Sequence, residues 1–65
     1  MRRRDLIRQL EAIARERGAS VTLVREGGAH TVYLVGVVRI VVPRHREINE
    51  LTARGIIDDV RRGLE

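Results

Sequence analysis

Residues 31–42 hold two apolar runs, Thr31-Val32-Tyr33-Leu34-Val35 and Val37-Val38-Arg39-Ile40-Val41-Val42, parted by a single glycine, Gly36. Nothing else in the chain restricts the fold as much. Short runs rich in valine and isoleucine pack best on a pleated surface, and a lone glycine between two of them permits a tight reversal. Pro43 closes the second run, because proline has no N–H to give to a ladder. Upstream, Val21-Thr22-Leu23-Val24 is a shorter run of the same kind, and Glu26-Gly27-Gly28-Ala29 reads as a turn. The three runs predict an antiparallel meander. The second and third are nearly continuous, whereas a sheet with one wet face alternates. Another copy of the chain, or a partner, is therefore expected over the second face.

Helical spacing flanks the meander on both sides. Leu6, Ile7, Leu10, Ile13 and Ala14 recur with Arg8, Glu11, Arg15 and Glu16 between them, which predicts an amphipathic helix over 3–17. Gly18 stands where a left-handed C-terminal cap belongs. After Pro43-Arg44-His45-Arg46-Glu47, a stripe of Ile56, Ile57, Val60 and Leu64 predicts a second helix over 51–62. Gly55 inside it is unfavourable by about 1 kcal/mol, and close packing near the amino end is the expected compensation. The fold class is thus α+β. It is a small αβββα domain over 1–65, a three-stranded antiparallel sheet with two helices on one face, the architecture of double-stranded RNA-binding domains.

A chain of 65 residues buries only about 60% of the surface its unfolded form exposes. It has room for two thin layers and no deep cavity, so an enzyme of this size works on its surface, against a polymer more readily than a metabolite. There are no cysteines, which removes disulfides and thiolate metal sites and is compatible with a reducing cytosol. No apolar stretch reaches signal-peptide or membrane-span length. The expectation is a cytoplasmic protein that does not enter membranes.

The net charge is +4, and all 13 basic residues are arginine, for a pI near 11.3. Arginine grips phosphate at two points and stacks on bases, so the charge hints at nucleic acid. The 9 acidic residues are interleaved with the arginines, so charge alone defines no site. His30 and His45 are 15 positions apart, a spacing that suits no metal, and neither a metal nor a cofactor is expected. Gly27-Gly28 lacks the lysine and following helix of a phosphate-binding loop. Ser20, Thr22, Thr31 and Thr52 have no acid–base company and read as strand and cap residues. Tyr33, the single tyrosine, reads as a core or sheet-face residue, with base stacking as the alternative.

Three segments, in order, resemble the HicA toxins of bacterial toxin–antitoxin pairs, small αβββα proteins that cleave mRNA. Asp5-Leu6-Ile7-Arg8-Gln9-Leu10-Glu11 is similar to the family's first helix. Gly27-Gly28-Ala29-His30-Thr31-Val32-Tyr33 resembles its Gly-Ser-His motif at the start of the second strand, with Ala29 in place of the usual serine or threonine. Val41-Val42-Pro43-Arg44-His45 resembles the Val-Pro-Arg-His that closes its third strand, and Thr52-Ala53-Arg54-Gly55-Ile56-Ile57 falls where its last helix begins. The resemblance implies a catalytic residue at His30, mRNA as substrate and an antitoxin of the HicB type as partner.

The chemistry is consistent on its own terms. RNA is cleaved when a 2′-hydroxyl attacks its adjacent phosphate, which calls for proton transfer and charge neutralisation but no external nucleophile. Histidine, titrating near 6.5 in water, serves as acid or base at neutral pH. Gly28 lets a strand approach closely, and Arg25, Arg39 and Arg44 are candidates for the phosphates. His45 is either a second acid or a phosphate contact. Two other classes stay open: a non-catalytic RNA-binding module of the same fold, for which Ala29 and the scarcity of aromatics speak, and a homo-oligomeric interaction protein, for instance a homodimer through the apolar sheet.

Overall fold

The computed structural model describes residues 1–65 and has the order α1 (Arg3–Glu16), β1 (Val21–Glu26), β2 (His30–Val35), β3 (Val38–Pro43), α2 (Glu50–Gly63). The strands form one antiparallel sheet in the order β1-β2-β3. Both helices lie on one face of it, so the αβββα α+β architecture read from the sequence is the one observed.

Local chemistry explains the element ends. α1 stops in a Schellman arrangement. Gly18 takes φ +69°, its N–H donates to Arg15 O, and the Ala19 N–H donates to Ala14 O at 2.8 Å. The β2–β3 loop is Gly36-Val37. Gly36 is at φ +60° and Val37 is not at positive φ, the type II′ pattern that matches strand twist. Val37 therefore belongs to the turn, 85% exposed, and β3 starts one residue later than its apolar run suggests. α2 is capped by Asn49, whose side chain accepts from the Leu51 N–H at 2.8 Å.

Alternation sorts the strands into two faces. Val35, Ile40 and Val42 are buried toward the helices and meet Leu6, Leu10, Ile13, Ala14, Ala53, Ile56, Ile57 and Val60 in one core. Thr31 shares that face and is fully buried. The other face carries His30, Val32 and Leu34 of β2 opposite Pro43, Val41 and Arg39 of β3. No element of the chain covers it. Val32 and Leu34 are half-buried, while Val41 is half-exposed.

The two helices run parallel, which gives the molecule distinct poles. At one pole the Ile48 N–H donates to Met1 O at 2.7 Å and the Arg3 N–H to Arg46 O at 2.8 Å, joining the starts of α1 and α2. At the other, Arg17 Nη1 donates to Leu64 O at 3.1 Å, joining their ends. The β1–β2 turn lies at the first pole and the β2–β3 hairpin at the second. A Cβ on Gly36 would stand 2.8 Å from Leu64 Cδ2, and one on Gly63 would overlap the Val38 side chain. These two glycines are the close-packed ones. Gly55, expected to allow close approach, is exposed with open space where a Cβ would sit. That expectation is corrected.

Candidate nucleic-acid interface

His30 is the first residue of β2, one position earlier than its apolar run. It is exposed on the open face of the sheet. The turn before it is tight: the Gly27 N–H donates to His30 O at 2.9 Å, and a Cβ on Gly27 would stand 3.1 Å from that oxygen. Gly28 has open space around it. A shallow cleft of about 240 Å³ is lined by Arg25, Gly27, Gly28, Ala29, His30 and Val32.

Arg25 reaches this cleft because β1 is bulged. Leu23 pairs with Tyr33 but Arg25 pairs with Val32, so Val24 is an extra residue in the ladder. Strict alternation from Leu23 would send Arg25 to the helix side. The bulge turns it to the face that carries His30. Within the chain the Arg25 side chain makes neither hydrogen bond nor ion pair, so its guanidinium is free for a ligand.

Arg44 is engaged differently. Its Nη1 donates to Gly27 O at 2.8 Å, its Nη2 lies 3.7 Å from Glu26 Oε1, and its N–H donates to Ala29 O at 3.0 Å. It straps the turn that presents His30, which makes it a positioning residue with a partly exposed charge. His45 is exposed in the following loop, two residues beyond Pro43, the cross-strand partner of His30. Arg39 shares the open face but pairs with Leu34. Four residues along a strand at about 3.3 Å each put it roughly 13 Å from His30. The structure thus gathers His30, Gly28, Arg25, Arg44 and His45 at one pole and leaves Arg39 toward the other.

Tyr33 points to the helix side, where its hydroxyl accepts from Arg3 Nη2 at 3.2 Å and its ring centroid lies 6.0 Å from the Arg3 guanidinium carbon. That is the sheet-face placement read from the sequence. The same Nη2 donates to Thr31 Oγ1 at 3.1 Å and Arg3 Nε donates to Pro43 O at 3.2 Å, so Arg3 ties α1 to the ends of β2 and β3 behind His30.

Sequence reasoning missed a second basic feature at this pole. Arg2 pairs in an isolated antiparallel bridge with Glu47, which brings residues 2–4 against 46–47. A cleft of about 600 Å³ results, lined by Arg2, Arg3, Arg4, Arg46 and Glu47. The signal was visible only as two separate basic runs, Arg2-Arg3-Arg4 and Arg44-His45-Arg46, whose contact is non-local. The Met1 ammonium sits beside it, 3.0 Å from Glu50 and 3.5 Å from Glu47. The hydrogen bond to Glu50 holds its pKa above the ordinary 8.0, against partial desolvation and with help from the charges of Glu50 and Glu47.

No three histidine, cysteine, aspartate or glutamate side chains converge where they could hold a metal ion, and no helix is long and apolar enough to cross a membrane. Comparison with protein-family models, with curated proteins and with solved structures found no match to this chain.

Proposed function

We propose that this chain is an RNA-directed endoribonuclease of the HicA toxin type, acting on mRNA in the cytoplasm through His30. The observation that carries the reading is the exposed imidazole of His30 in one cleft with the unpaired guanidinium of Arg25. An acid–base group and a free phosphate-binding group beside an open glycine turn suit a phosphodiester lying against the surface.

In this mechanism the 2′-oxygen attacks the adjacent phosphorus. The P–O2′ bond forms as the P–O5′ bond breaks, leaving a 2′,3′-cyclic phosphate and a 5′-hydroxyl. One proton leaves the 2′-oxygen and one arrives at the 5′-oxygen; His30 carries one of these transfers and water the other. Arg25 stabilises the charge that grows on the phosphoryl oxygens. Arg44 holds the turn in place through Gly27 and Ala29. A HicB-type antitoxin would act by covering this pole.

Expression of the chain alone, with growth and RNA integrity followed over time, tests the reading. Arrest with RNA fragmentation is expected, and His30→Ala should relieve both. Equal toxicity of the two would remove His30 from the mechanism. The non-catalytic alternative has its own observation in Ala29, which is exposed beside His30 and brings no hydroxyl to the cleft. Salt-sensitive RNA binding without scission would favour it.

A further inference from the structure

We propose that the second cleft, formed by Arg2, Arg4 and Arg46, is a phosphate track that holds the RNA strand beyond the bond being cut. The inference rests on the RNA reading above and adds where the rest of the substrate lies.

Four of the five residues that line the cleft are arginines and none is apolar. Arg3 is committed to Thr31, Tyr33 and Pro43. Glu47, the one acid, faces the Met1 ammonium at 3.5 Å. Arg2, Arg4 and Arg46 are exposed and take part in no side-chain hydrogen bond or ion pair of the chain. Three exposed guanidiniums thus surround one concavity whose single acid, Glu47, is shared with the Met1 ammonium. In a chain with 9 acidic residues, that is a local surplus which an anionic ligand would relieve.

The lining chemistry selects the ligand. A cleft of this volume is within the range of small-ligand pockets, about 300–1,000 Å³, but such pockets are mostly apolar. This one has no apolar lining and several planar forks for phosphate oxygens. Its position fits a polymer. Arg3, on its wall, bonds the carbonyl of Pro43, and Pro43 is the cross-strand partner of His30. The two clefts therefore flank one end of the sheet, and a strand with one phosphate at His30 would continue past that end toward the arginines.

The test uses His30→Ala as the parent, so that RNA stays intact, and a labelled single-stranded RNA of roughly 12 nucleotides, within the site sizes of small RNA-binding domains. Binding is followed by fluorescence anisotropy at salt concentrations from about 50 to about 200 mM. Each phosphate contact on a single strand contributes about 0.7 to the slope of log affinity against log salt. The triple variant Arg2→Ala, Arg4→Ala, Arg46→Ala should bind more weakly, with a slope flatter by about 2. Over that salt range the parent should lose about 20-fold more affinity than the variant. A charge-matched control, Arg15→Ala, Arg54→Ala, Arg61→Ala, removes three exposed arginines that line neither cleft, and should keep most of the parent's slope. Circular dichroism confirms that all three proteins fold. If the cleft variant and the control behave alike, the track is refuted while RNA binding stands, and the cleft is left to an acidic protein surface. If the parent itself does not bind at low salt, the track and the RNA reading fall together.

Discussion

Replacing Arg3 with methionine should cost this small protein a large share of its stability, and the structure says where the cost arises. Arg3 Nη2 donates to Thr31 Oγ1, the hydroxyl of a residue with 0% exposure, and also to the Tyr33 hydroxyl, while Nε donates to Pro43 O. The Pro43 and Tyr33 oxygens lie on a partly open edge, where water can replace the guanidinium at little net cost. Thr31 has no such access. Leaving a buried hydroxyl unpartnered costs about 1–3 kcal/mol, and the lost charge-assisted bonds about 1 kcal/mol more. The sum, about 2–4 kcal/mol, compares with a total of roughly 3–10 kcal/mol for a domain of this length. It corresponds to a fall in Tm on the order of 10–30 °C. Urea unfolding followed by circular dichroism measures it, and the double-mutant cycle with Thr31→Val isolates the cause. Thr31→Val removes the hydroxyl that would be orphaned, so in its background Arg3→Met should cost about 1–2 kcal/mol less. Costs that are additive within about 0.5 kcal/mol would refute the coupling and leave Arg3 as a packing residue only.

Other consequences follow from particular contacts. Gly55→Ala should stabilise the protein by about 0.5–1 kcal/mol, because the added methyl meets nothing and the unfolded chain loses freedom; a lower midpoint in urea would contradict the open geometry. Gly63→Ala should destabilise by about 1–3 kcal/mol through overlap with Val38, and Val38→Ala in the same chain should recover part of that loss. The pKa of the Met1 ammonium is raised in the folded protein, chiefly by its hydrogen bond to Glu50. Its contribution to stability is therefore complete below the unfolded value near 8 and is lost as pH rises through the higher folded value. Thermal midpoints should decline over that alkaline window, and Glu50→Gln should flatten the decline.

Much of this architecture was legible in residue order, and what was not legible is non-local. The helical stripes of Leu6 to Ala14 and of Ile56 to Val60, the Gly18 cap and the Gly36 reversal are written in neighbours a few positions apart, and local chemistry decided each. The bulge at Val24 left no such mark, since a valine inside an apolar run looks like any strand residue, yet it alone turns Arg25 toward His30. Asn49, the α2 cap, stands seven residues before Ile56, where no apolar periodicity yet marks a helix start. The unalternating second and third strands had suggested a covered outer face. In the single chain that face is open, with Val32 and Leu34 half-buried and Val41 half-exposed. The pole itself could not be read from the sequence. It depends on Arg2 pairing with Glu47 and on Arg44 reaching Gly27, contacts that span 45 and 17 positions.

The most direct test of the His30 mechanism is the cleavage rate of a defined RNA by the purified chain in excess chelator, set beside His30→Ala. The account predicts fragments ending in 2′,3′-cyclic phosphate, a rate lower by about 10²–10⁴-fold in the variant, and no scission where the attacking nucleotide carries a 2′-hydrogen. Equal rates for the two proteins, or scission of the 2′-deoxy substrate, would contradict it.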